Sequence, residues 1–242
     1  MDKGIWREKY DKNGFAAFPC PKCGTGKLRR VKDRTFEQWK SEADADPTYT
    51  EGKFACFLEC TAGHCKAVAV MSGLAVSVYE PYIDPDGKQQ MDENIYFHPR
   101  NMLPGAQVIA VPNKTPKAVA AEISKSFGLI WTDRSSAANK LRNAVEEILV
   151  DHGVPKLTIK GGFIPLAKRL EEAEKKQMLH HDTLVALKDV GNTGSHETEL
   201  PLKDLLDAYD ILEDALEDIY GGRRARLQGI RDRLTKKKGK AP

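Results

Sequence analysis

All five cysteines of this 242-residue chain lie within its first 65 positions, at 20, 23, 56, 60 and 65. An odd number of cysteines crowded in this way, behind an opening MDKGIWREKYDKNG that lacks the apolar centre of a signal peptide, argues for thiolate ligands rather than a disulfide framework. Cys20 and Cys23 form a CxxC knuckle in FPCPKCGTGKL, where the glycines that follow let backbone N–H groups turn towards a thiolate. Cys60 and Cys65, in LECTAGHCKAV, have the spacing to close the second half of a tetrahedral Zn²⁺ site. His64 and Cys56 stand close by as alternatives. The expected set is Cys20, Cys23, Cys60 and Cys65, because KAVAVMSG reads as a strand directly after Cys65, while Cys56 alternates with Phe54 and Leu58 as a small core residue does. Four thiolates saturate Zn²⁺ and leave no position for water, so the expected ion is structural. Between the knuckles, LRRVKDR carries Arg29, Arg30, Lys32 and Arg34, which serve either as solubilising charge or as a grip on a phosphate backbone.

A second constellation lies in ALKDVGNTGSHE. Lys188, Asn192 and His196 recur at four-residue steps and share one face if the helix that begins near Asp182 continues through them. Gly191 and Gly194 oppose that continuity, at roughly 1 kcal/mol each against alanine. Either the helix ends at VGNTG, with the glycines as cap and loop, or the glycines admit a neighbouring helix or a phosphate. Helix propensity favours the first. Three other histidines read as helix-end residues: His180 and His181 at a start, and His152 at a C-terminus where it meets the helix dipole.

These side chains need elements to hold them. The stretch 35–43 has the composition of a short helix, 74–82 alternates as a strand, DPDGKQQ is a turn, and ENIYFHPRNMLPGAQVIAVP mixes a short strand with a proline-rich connection. From Thr115 the period changes to that of helices. Thr115 is the expected N-cap of TPKAVAAEISKSF, with Pro116 at the first helical position. Further helices are expected through SSAANKLRNAVEEILVDHG, over 164–176, from 180–182 onward, and over 200–220. RRARLQGIRDRLTKKKGKAP gives one more that frays into a basic tail. The expected fold is α+β: a small β-rich, zinc-ribbon-like module over 1–112, an all-α bundle over 113–222, and a basic tail over 223–242.

In the order and spacing of these pieces, the region 96–220 resembles a bacterial domain-of-unknown-function family placed in the HEPN superfamily. The resemblance rests on the IAVP segment, the LRNAVEEILVDHG helix, and Gly191-Asn192 followed by His196 behind a basic residue. It implies a HEPN-like helical bundle, a homodimer, and a place in bacterial phage-defence or restriction-associated systems, alone or behind a zinc module. Many such domains are metal-independent ribonucleases that pair an Arg with a nearby His. Carried over, His196 matches the motif histidine and Asn192 its polar companion, while Lys188 stands where Arg is usual. An ammonium offers a point charge where a guanidinium gives two parallel hydrogen bonds, so catalysis is expected to be weakened. Arg142 and Glu146, one turn apart on their helix, would supply the missing charge or orient His196. Two functions follow as expectations. One is a module that binds RNA, DNA or a partner subunit and dimerises without robust catalysis. The other is a HEPN-type endoribonuclease using His196, Asn192, Lys188 and Arg142.

Charge is compatible with either. The net value is only +3, but the first forty residues hold eleven Lys/Arg against five Asp/Glu, and the last 22 hold nine against one. Nucleic acid is therefore a permitted partner. No apolar run approaches the length of a membrane span, and the expected location is the cytoplasm.

Overall fold

In the computed structural model, residues 1–40, 49–193 and 200–238 are described. Six strands form one antiparallel sheet: β1 (Tyr10–Asp11), β2 (Phe18–Pro19), β3 (Lys27–Trp39), β4 (Tyr49–Cys60), β5 (Val68–Ile83) and β6 (Gln89–Leu103), in the order β1-β6-β5-β4-β3-β2. Six helices follow: α1 (Lys117–Phe127), α2 (Arg134–Asp151), α3 (Leu166–Lys175), α4 (His181–Thr193), α5 (Leu202–Tyr220) and α6 (Arg223–Lys238). The chain is thus α+β, with sheet first and helices after. None of the described helices is long and apolar enough to cross a membrane.

The chain divides into two compact units that are not split at one point. The sheet unit takes Asp2–Val108 and also Ser124–Ala137; the helical unit takes Ile109–Ile123, Ala138 onward, and Met1.

Within the sheet unit, alternation decides which side chains meet. Phe54, Cys56 and Leu58 of β4 are buried, as are Met71 of β5 and Phe97 of β6. Phe97 stacks on Phe54 with ring centroids 4.4 Å apart. Trp131, from the segment after α1, closes the same core against Trp6 and Phe18 at 5.5 and 5.4 Å. Its indole Nε1 donates to the carbonyl of Arg7 at 2.9 Å, so the one polar atom of the ring is satisfied.

Two expectations for this unit fail, and both failures have the same cause. The stretch expected as a helix from Thr35 is the second half of β3, where Thr35, Phe36, Glu37, Gln38 and Trp39 pair with Cys56 to Gly52 of β4. The rest of that stretch lies outside the described residues. Likewise the short strand expected after DPDGKQQ is the long β6, which pairs with β5 along almost its whole length. Pairing with a neighbouring strand overrides weak local preference in each case. The turn between β5 and β6 is as expected. Asp84 Oδ1 accepts from the amides of Asp86 and Lys88 at 3.0 and 2.8 Å.

Helices α1 to α5 each bury an apolar stripe. These stripes comprise Val119 and Ile123 of α1, Leu141, Val145 and Ile148 of α2, Leu166 and Leu170 of α3, Leu184 and Leu187 of α4, and Leu205, Tyr209, Leu212 and Leu216 of α5. Asp133 caps α2, accepting from the Ser136 amide at 2.8 Å. Thr115 does not cap α1 in the expected way: its hydroxyl is buried and makes no hydrogen bond. The basic C-terminal stretch forms α6 as far as Lys238.

Candidate functional site

Two adjacent turns bring the cysteines together. The first leaves β2 at Cys20, whose amide bonds the Gly26 carbonyl at 3.0 Å and whose carbonyl accepts from Gly24 at 2.9 Å. The second leaves β4 at Cys60, whose amide bonds the Ala67 carbonyl at 2.9 Å, while Cys65 N–H reaches Ala62 at 2.9 Å. Leu28 joins the two, pairing with Phe18 on one side and Cys60 on the other. Gly26 is required by crowding: a Cβ there would collide with the Cys60 sulfur and approach Ala62 Cβ.

All four Sγ atoms of Cys20, Cys23, Cys60 and Cys65 lie within 4.8 Å of one another. The Cys20–Cys65 and Cys23–Cys60 separations are 3.8 and 3.7 Å. Sulfurs about 2.3 Å from a common centre in a tetrahedron stand about 3.8 Å apart, so the cluster has the dimensions of a tetrathiolate metal site. Cys56 is buried in the sheet core, where desolvation pushes its thiol up to about 11, and His64 is exposed outside the cluster. Backbone amides prepare one ligand. Gly26 N–H points at Cys23 Sγ from 3.2 Å, and this bond, with Thr25, draws that thiol down to about 5. Desolvation, reinforced by hydrogen bonding with Cys23 and Cys20, pushes Cys65 up instead. A cation at the centre opposes that rise.

The second constellation is answered by α4. The helix does not end before the glycine. It runs through Gly191 and Asn192 to Thr193, and Gly191 is buried against α2. A Cβ on Gly191 would stand 2.6 Å from Arg142 Cβ and 3.2 Å from the Ala138 carbonyl oxygen. The cap reading is therefore corrected for Gly191: close helix approach outweighs the propensity cost. Arg142 is thereby brought against the KDVGN turn of α4. Its neighbours there are occupied in part. Lys188 Nζ meets Asp189 at 2.8 Å, and Arg142 Nη1 meets Glu146 at 3.5 Å. Asn192 is exposed. His196 and Gly194 lie outside the described residues.

Glu146 has a stronger partner that sequence reasoning missed. Arg169 of α3 is only 1% exposed; its Nη1 meets Glu146 Oε2 at 3.3 Å, and its Nη2 donates to the carbonyls of Glu146 and Val154 at 2.8 and 2.9 Å. The signal was present. Arg169 falls on the inward stripe with Leu166, Leu170 and Ala173, where an arginine needs a buried acceptor. His152, His180 and His181 sit at helix ends as expected, while His98 lies in β6. His152 Nδ1 lies 2.9 Å from the Ile148 carbonyl, and His180 pairs with Asp218 at 3.0 Å.

Residues 124–240 match a family described as Domain of unknown function (DUF4145), and residues 8–102 match another, Domain of unknown function (DUF8608). No curated protein and no solved structure matches the chain.

Proposed function

We propose that this chain is a zinc-containing nucleic-acid-binding module whose helical unit is HEPN-like, acting in a bacterial phage-defence or restriction-associated system, as a homodimer or beside a partner subunit, without robust catalysis. Zn²⁺ held by Cys20, Cys23, Cys60 and Cys65 would be coordinatively saturated and structural. The observation that supports the binding role is the seat of the Arg142 stem on Gly191, which brings Arg142 against the turn of α4 that carries Lys188 and Asn192. Two cations and an amide at one helix crossing suit a phosphodiester.

The same contact favours a second reading, a metal-independent endoribonuclease. Arg142 returns to the motif the arginine that Lys188 replaces, leaving His196 to move a proton to or from a ribose 2′-OH. One experiment separates the two. Metal-loaded protein is mixed with labelled single-stranded RNA and tRNA, without added divalent cation, and compared with His196→Ala and Arg142→Ala. The binding reading expects salt-sensitive binding, weakened about tenfold in Arg142→Ala, with RNA intact. Cleavage by wild type that leaves a cyclic phosphate and disappears in His196→Ala replaces it with the enzyme reading. Absence of both binding and cleavage overturns both.

A further inference from the structure

The sheet unit carries an opening unrelated to its thiol cluster. The segment 13–17 and the start of β3 enclose an open cavity of about 290 Å³, lined by Asn13, Phe15, Arg29, Arg30, Lys32 and two alanines. Three cations line it and no carboxylate does. Of the nearby acids, Glu37 holds Lys12 at 2.8 Å, Glu59 holds Arg34 at 3.0 Å, Asp11 accepts from the amides of Asn13 and Gly14, and Asp33, exposed on β3, does not line the cavity. Among the described residues neither Arg29 nor Lys32 has an ion-pair partner, and both are exposed. Arg30 is differently placed. Its guanidinium lies 5.2 Å from the centroid of Phe15 and 5.7 Å from that of Phe97, and donates to the Lys12 carbonyl, so its position is set before any ligand arrives.

The backbone keeps the place open. β2 covers the edge of β3 only at Lys27 and Leu28, and the β3 to β4 register shifts between Arg30 and Thr35. The strand edge that follows Leu28 therefore faces the cavity without a paired strand among the described residues. Like charges gathered at one mouth repel, and an anion relieves that repulsion. Phe15, half-buried against Arg30, Tyr10 and Phe97, gives that mouth an apolar wall, which suits an anion that carries a flat aromatic group. We propose that this cavity binds the phosphate of a nucleotide unit, with Arg29 and Lys32 as phosphate contacts and Arg30 with Phe15 as the fixed wall. The shared chemistry is a nucleoside phosphate, either free or within a single strand. The inference rests on the nucleic-acid reading above but places contact at a different group of residues.

The test uses the full metal-loaded chain, wild type against the Arg29→Ala/Lys32→Ala double variant, with Arg142→Ala/Lys188→Ala as the comparison. Probes are a labelled single-stranded RNA 20-mer, by fluorescence anisotropy across a salt series, and ATP, by titration calorimetry. The expected result is at least about a tenfold loss of affinity in Arg29→Ala/Lys32→Ala and a salt slope smaller by about two, one for each phosphate contact removed. Metal content and far-UV circular dichroism should be unchanged, since both side chains are exposed. ATP binding by wild type that the double variant loses supports the site and names a free nucleotide as its source; binding of the 20-mer alone names a strand. Unchanged affinity for both probes in Arg29→Ala/Lys32→Ala, with loss in Arg142→Ala/Lys188→Ala, overturns this site and leaves the helical reading standing. No binding of either probe by wild type overturns both.

Discussion

The two units gather chemically active side chains by opposite routes. The thiol cluster is built from two short turns, each readable within six consecutive residues, and the sheet brings those turns side by side through Leu28. The Arg142 cluster is built from three helices. Arg142 and Glu146 come from α2, Arg169 from α3, and the glycine that lets Arg142 approach comes from α4. In the first unit backbone turns aim the ligands, so each thiol is oriented by its own turn. In the second, packing aims the charges, and each residue depends on the others. Damage should therefore spread differently: from the thiol cluster into one unit's register, and from a helix contact into a whole charge network.

The largest expected effect is at the thiols. Cys23→Ser or Cys60→Ser should abolish stoichiometric metal binding, read by elemental analysis of purified protein. Co²⁺ loading of wild type should give the intense sulfur-to-metal absorption of a tetrathiolate, and a protein that keeps one tightly bound metal in both variants would contradict the site. Next comes Arg169→Ala. Breaking a buried pair leaves the Glu146 carboxylate poorly compensated, at about 3–5 kcal/mol, measurable by urea unfolding of the helical signal. Lys156 Nζ also stands 3.9 Å from Glu146 Oε2, and a loss below about 1 kcal/mol would mean that Glu146 is satisfied by Lys156 and Arg142 alone. Gly191→Ala tests the helix contact by its sign. Propensity alone predicts a gain of roughly 1 kcal/mol, whereas the collision with Arg142 predicts a loss of about 1–3 kcal/mol. The smallest effect belongs to Asp133→Ala, which removes the α2 cap and should cost about 1 kcal/mol in the same denaturant experiment.

What could be read in advance follows the same division. The spacing of Cys20, Cys23, Cys60 and Cys65 names the four residues that cluster, because ligands in tight turns announce themselves locally. The Asp84 turn is legible for the same reason. The second half of β3 was not, since Phe36 and Gln38 are exposed and Thr35, Glu37 and Trp39 only half-buried, which leaves no alternation strong enough to outweigh a helical composition. Gly191 misled because its cost is local while its benefit lies on α2. Arg169 was overlooked because a charged residue in an apolar stripe resembles an interruption until its acceptors, the carbonyls of Glu146 and Val154, are known.

The pairing of Leu28 with both Phe18 and Cys60 has a further consequence. A β-strand that slips by one residue turns every side chain to its opposite face. For β4 such a slip against β3 would carry Phe54, Cys56 and Leu58 out of the core. It would also draw Cys60 away from Cys20 and Cys23, which are fixed to the other side of β3 through β2. A bound metal would therefore act as a register pin, holding three strands in the one alignment that keeps the aromatic core inward.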